Sequence, residues 1–285
     1  MGAIDFLLNI AGLLLWLGWR SSGFDPLVKS TPVTLVGTLK RPEPRRIKGW
    51  QLAILMLLLL AVRAWLYEFI GGPAEWTPRL NLELVVLAFR NNAFAPVALF
   101  SCLSFVRTMV VFYFWLLVLA SINQTRVEPD PILRLVRLNL GRFANWPWPL
   151  QWLIPMLTVL GLWLAVYPLL VRCGVMTPAT STAHMVEQGL LVTLGLVLSL
   201  KLVLAPLLLL HLVANYVYLG SNPVWEFVTG TAQQLTAPLR RLPLHWARLD
   251  LAPVIAVLLV LGTLQWLPNL ILSRLTAANV SIWPL

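Results

Sequence analysis

Six apolar runs, at residues 3–19, 50–70, 93–122, 148–171, 190–219 and 251–272, limit what this chain can fold into. Crossing ~30 Å of hydrocarbon takes about 20 helical residues, and the runs reach or approach that length. A segment in lipid must satisfy its own backbone polar groups, so such runs are read as helices. Two soluble domains, which 285 residues would otherwise suggest, are excluded by a mean hydropathy of +0.81 and a charged fraction of 11%. An ordinary soluble domain is roughly 25% charged. The first run is short and reaches the bilayer interface if Trp16 and Trp19 anchor its end. It lacks the basic start of a signal peptide, so it is read as a retained span. The third and fifth runs are long enough to tilt, kink or project, with Pro206 as the expected kink in the fifth.

Topology follows from where the basic residues fall. Of the 21 Lys and Arg, fourteen lie in three connections, residues 20–49, 123–147 and 220–250, and only four on the opposite face. This bias places the three connections in the cytoplasm and both termini outside. It also removes nucleic acid as the explanation of the +10 net charge, because the charges flank the bilayer.

The three basic connections repeat a plan. Each follows an odd-numbered span and opens on an Asx-Pro pair: Asp25-Pro26, Asp130-Pro131 and Asn222-Pro223. Such pairs are turn signals, because the side-chain oxygen bonds nearby backbone and proline fixes φ. A second proline follows at Pro42, Pro147 or Pro238, and the next span starts soon after. Between the prolines the sequence predicts an interfacial helix. At 100° per residue, Arg134, Arg137 and Arg142 share one side of the second segment, and Ile132, Leu135, Val136, Leu140 and Phe143 the other. Leu138 falls among the arginines and breaks the pattern. The third segment is less amphipathic, with Val224, Trp225, Phe227 and Val228 as its apolar edge. The expected architecture is all-α and polytopic, with six transmembrane helices in three hairpin repeats: 1–92 (degenerate), 93–185 and 186–285.

The third repeat carries a family resemblance. Ser221-Asn222-Pro223, Leu235-Thr236-Ala237-Pro238-Leu239-Arg240-Arg241-Leu242-Pro243, and Leu249-Asp250-Leu251-Ala252-Pro253 leading into an apolar helix resemble the YggT (YlmG) family of small bacterial and plastid membrane proteins. The match covers roughly residues 195–270 and rests on Asn222, Pro223, Thr236, Pro238, Arg240, Arg241, Asp250 and Pro253. Ala237 and Ala252 stand where the family pattern has an acidic residue and a serine, and the glycines before the aspartate are missing. A typical member resembles two such hairpins, so three make an expanded relative. The resemblance implies a bacterial inner-membrane protein without established catalysis. Its relatives are linked to cytochrome-complex assembly in plastids, to envelope or division-site organisation, and to osmotic tolerance.

Charged residues inside spans are functional candidates by default. Arg107 and Lys201 stand 24 and 22 residues before their loop prolines, and Asp5 stands 21 before Pro26. One reading pairs Asp5 with Arg107 or Lys201 across packed helices. The favoured alternative is that Lys201 and Arg63 snorkel outward or bond helix carbonyls. The eleven acidic residues, Glu83 among them, all fall near span ends or in loops, which disfavours pump chemistry. His211 is the only histidine well inside a span; it is a haem-ligand candidate, but a satisfied polar residue fits better because His184 and His245 fall in or near loops. Cys102 and Cys173 have no metal or disulfide spacing, and no catalytic constellation occurs. Gly12, Gly161, Gly195 and Ala205 offer close helix contacts. The basic residues Arg41, Arg45, Arg46, Lys48, Arg134, Arg137 and Arg142 face anionic lipid headgroups in this reading. The sequence thus predicts a cofactor-free, noncatalytic scaffold, accessory subunit or assembly factor that packs beside a larger membrane complex. An osmotic or ion-related channel is the alternative.

Overall fold

The computed structural model describes residues 2–22, 49–71, 77–90, 93–124, 126, 130–179, 181–217, 220, 222–239, 245–246, 249–250 and 252–277. Among them the chain is nearly all helical, and six helical segments are long and apolar enough to cross a membrane. Helices α1 (Gly2–Ser22), α2 (Gly49–Gly71), α3 (Phe94–Ile122), α5 (Trp148–Arg172) and α9 (Ala252–Ala277) account for five. The remaining segment, Thr182–Asn215, is made by α6 (Thr182–Leu198) and α7 (Lys201–Tyr216) in sequence. Two short helices, α4 (Pro131–Leu140) and α8 (Pro223–Thr236), lie between spans. Small hairpins pair β1 (Arg79–Asn81) with β2 (Val86–Ala88), and β3 (His245–Trp246) with β4 (Leu249–Asp250). This is a multi-pass α-helical membrane protein.

The chain divides into two compact units, Met1–Leu80 with Ala88–Met109, and Asn81–Leu87 with Val110–Leu285. In the first, α1 and α2 pack antiparallel. Gly18 meets Leu52 near one end of the pair, and Asp5 meets Arg63 near the other. A Cβ added at Gly12 would come within 2.8 Å of the Phe105 ring, so glycine is what lets α1 approach α3 there.

In the second unit, α4 lies along the last turns of α3. Val136 and Leu140, with Ala144 of the following 3-10 turn, pack on Ala120, Tyr113, Leu116 and Leu117. Only part of the expected apolar side of α4 packs on protein. Leu133, Val136 and Leu140 are buried, whereas Leu135 and Phe143 are exposed. Helix α8 packs on α7 and α9, where Ala232 joins Leu207, Leu208, Ala256 and Val257 in one apolar core. Helices α5 and α6 form another close pair, with Gly189 against Leu160 and Trp163. Gly161 has no such role: a Cβ there would meet nothing.

Both intervening helices start as their Asx-Pro pairs dictate. The Asp130 carboxylate accepts the Ile132 N–H at 2.9 Å and the Leu133 N–H at 3.4 Å. Asn222 Oδ1 accepts the Val224 N–H at 3.1 Å. Pro131 and Pro223 fill the first helical position, where a missing N–H costs nothing. Asp25, Pro26 and Pro42, the corresponding signals of the first connection, lie outside the described residues.

The fifth span is two helices in sequence in place of one over 190–219, with Pro206 inside the second. It begins eight residues earlier, at Thr182, because the Ser181 side chain accepts the His184 N–H and caps a polar first turn. The break between the two helices falls at Ser199–Leu200. There the backbone tightens instead of unwinding: Leu200 N–H bonds Val197 O at 3.1 Å, and Ser199 Oγ donates to Leu196 O at 2.6 Å. Such back-bonding by serine bends helices.

Candidate functional site

The structure places two charged clusters inside the apolar segments, one in each unit. The first is centred on Arg63 of α2, which is 1% exposed. One face of α1 carries Asp5 and Asn9, one turn apart, and one face of α2 carries Arg63 and Tyr67 with the same spacing. The guanidinium donates to Asn9 Oδ1 at 2.7 Å, to Asp5 Oδ1 at 3.0 Å and to Ser104 Oγ of α3 at 3.1 Å. Asn9 Nδ2 also donates to Ser104 Oγ, and the Tyr67 hydroxyl donates to the same Asp5 oxygen. The Arg63 head lies 5.4 and 5.6 Å from the ring centres of Tyr67 and Phe100. An uncompensated arginine at this depth costs at least ~3 kcal/mol, and here charge, hydrogen bonds and ring faces all offset that cost. Asp5 therefore takes Arg63 and Tyr67 as partners, where one reading of the sequence paired it with Arg107 or Lys201. Arg63 does not snorkel. Arg107 is half-buried on α3 and is itself engaged.

The second cluster is built at the break in the fifth span. Lys201 opens α7 and pairs through Nζ with Glu83 Oε2 at 2.7 Å. Glu83 sits in the two-residue turn of the β1–β2 hairpin, between Leu82, whose N–H bonds Val85 O at 2.7 Å, and Leu84. Its φ of 70° is the left-handed region that glycine prefers, and the Asn81 side chain holds the turn by accepting the Glu83 N–H at 2.8 Å. Gly195 of α6 makes the approach possible, since a Cβ there would collide with the Leu82 carbonyl. Ser199 Oγ meanwhile accepts the Trp115 indole N–H from α3 at 3.1 Å. Lys201 thus does not snorkel either. Glu83, by sequence an ordinary loop acid, is its counter-charge. Non-helical backbone at such a place is tolerated where protein buries it, and Val85 and Leu87 of the hairpin are buried.

A third arrangement ties the connectors together. Asn123, at the end of α3, is fully buried; its Nδ2 donates to Thr231 Oγ1 of α8 at 3.0 Å, and its carbonyl accepts from Arg137 at 3.2 Å. Arg126 packs against Gly230 of α8 and stands 3.6 Å from the Asp130 carboxylate.

Several family-pattern residues have structural tasks. Asn222 and Pro223 start α8, and buried Thr236, its last residue, donates to Ala232 O at 2.9 Å. Pro238 follows the helix end, and Pro253 is buried at the start of α9. Asp250 lies in β4. Arg240, Arg241, Arg41, Arg45, Arg46 and Lys48 lie outside the described residues. Of the lipid-facing set, Arg134 and Arg142 are exposed without a protein partner in the described contacts, while Arg137 is used on Asn123. His211 is fully buried and engaged, and among the described residues no three His, Cys, Asp or Glu side chains are grouped to hold a metal.

The fold and these clusters define an integral membrane protein with a charge pair in each unit. No family model, curated protein or solved structure matches the chain.

Proposed function

We propose that the protein is a noncatalytic scaffold, accessory subunit or assembly factor of a bacterial inner membrane, with three basic connectors in the cytoplasm and both termini outside. The YggT-like residues of the third repeat support this reading. One observation carries it: Asp5, Arg63, Glu83 and Lys201 bind segments of the chain to each other, so these charges hold a shape. Meanwhile α1 and α9 keep most of their apolar surface outward, with only 11% of the spanning stretch buried, against 44% in the fifth span. Such helices have area for lipid and for a larger membrane complex, and the basic connectors draw anionic headgroups.

Purification of the full chain in mild detergent tests the proposal. A stoichiometric membrane-protein partner is expected. Recovery alone, together with ionic current from the purified protein in liposomes, would reverse the reading in favour of a channel. That second reading is favoured by the helix break at Ser199–Leu200, beside which Lys201, in a 34-residue apolar run, meets Glu83.

A further inference from the structure

Helix α4 has two apolar faces, and only one is used. At 100° per residue, Leu133, Val136 and Leu140 lie within about 60° of one another and are buried. Leu135 and Leu138 lie about 60° apart on the opposite side, and they are 60% and 42% exposed. This explains why Leu138 breaks a single-stripe pattern: the helix carries a second stripe. A connector helix facing water would be polar opposite its packed face. Here the outward stripe is leucine, flanked by Arg134 on the helix and Arg142 just beyond it, both exposed. The exposed rings of Phe143 and Trp148 continue it toward α5.

We propose that this outward stripe seats α4 in the headgroup boundary of the membrane, with Leu135 and Leu138 among acyl chains and Arg134 and Arg142 on anionic phospholipid headgroups. Level and charge identify the occupant. Because the inner face of α4 packs beside Tyr113, Leu116, Leu117 and Ala120 of α3, the helix lies level with the end of a span. The two free guanidiniums complement phosphate, whereas Arg137 is committed to the Asn123 carbonyl. The inference rests on the proposed attraction of the basic connectors for anionic lipid and assigns it to one surface.

The test uses the full-length protein with Cys102 and Cys173 replaced by serine and a single environment-sensitive fluorophore on Leu138→Cys, with Leu135→Cys as the second site. Reconstitution is into vesicles of phosphatidylcholine and phosphatidylglycerol, the same composition in both leaflets. Spin-labelled lipids with the quencher near the headgroup should quench either site. Spin-labelled phosphatidylglycerol should be preferred over phosphatidylcholine by about fivefold per arginine, and the preference should fall to near unity in Arg134→Gln/Arg142→Gln but persist in the double Lys variant. Absence of quenching by both lipids would overturn the proposal in favour of a protein or water on this face. Equal quenching by the two lipids would overturn the anionic assignment. Either failure leaves partner copurification, and with it the scaffold reading, free to succeed.

Discussion

Replacing Glu83 with glutamine removes the counter-charge of Lys201 and leaves the shape of the turn alone. The turn is fixed by the Leu82–Val85 backbone bond and by Asn81 Oδ1 on the Glu83 N–H, neither of which uses the carboxylate. Breaking one side of a fully buried ion pair costs about 3–5 kcal/mol, and a hydrogen bond to a charged group is worth about 1.5–3 kcal/mol. The pair here has side chains 23% and 17% exposed, so water screens part of the interaction. The expected loss is about 2–3 kcal/mol for Glu83→Gln, a factor of roughly 30–150 in the folding equilibrium. Lys201→Met, which strands the carboxylate, should cost about the same. The double variant should lose less than the sum of the two, with a coupling of at least about 1 kcal/mol. Denaturation of the full-length protein in mixed detergent micelles, followed by tryptophan fluorescence, measures all four chains of the cycle. Single variants within about 0.5 kcal/mol of wild type, or a double variant equal to the sum, would refute the pairing as a structural lock.

Gly195→Ala should destabilise by about 1–3 kcal/mol in the same assay, because its methyl meets the Leu82 backbone carbonyl, whereas Gly161→Ala, which meets nothing, should be neutral or better. Asp130→Ala and Asn222→Ala should each cost about 1 kcal/mol through loss of a helix cap, read as earlier melting of α4 or α8 by hydrogen exchange. Arg63→Leu leaves Asp5 without its cation and should lower accumulation of inserted protein, with Asp5→Asn in the same chain restoring part of the loss as measured by membrane-fraction immunoblot.

Much of the fold is legible in the sequence because lipid leaves the chain few choices. Long apolar runs become helices, and Asx-Pro pairs at Asp130 and Asn222 start new ones by a local mechanism that tertiary structure has no need to override. The less legible features depend on neighbours. Helix α4 has two apolar stripes, and periodicity alone does not say which one meets α3. The partners of Asp5 and Lys201 are not given by depth along a span, because helix faces and a hairpin turn decide which charges meet. The four-residue spacings Asp5–Asn9 and Arg63–Tyr67 were the available signal for the first cluster. For the second, the alternation of Leu80, Leu82 and Leu84 with Asn81 and Glu83 is a period-two strand signal. Nothing local announces that Gly195 and Leu82 come together; that contact depends on the approach of segments more than 100 residues apart.

The most direct test asks on which side of the membrane the connectors lie. In a cysteine-free background, single cysteines at Arg45, Arg134, Arg240 and, as the opposite-side control, Thr177 are probed with a membrane-impermeant maleimide before and after permeabilisation. The first three should label only after permeabilisation, and Thr177→Cys should label in intact cells. Labelling of any of the first three in intact cells, with Thr177→Cys labelled alike, would contradict a chain whose basic connectors share one cytoplasmic face.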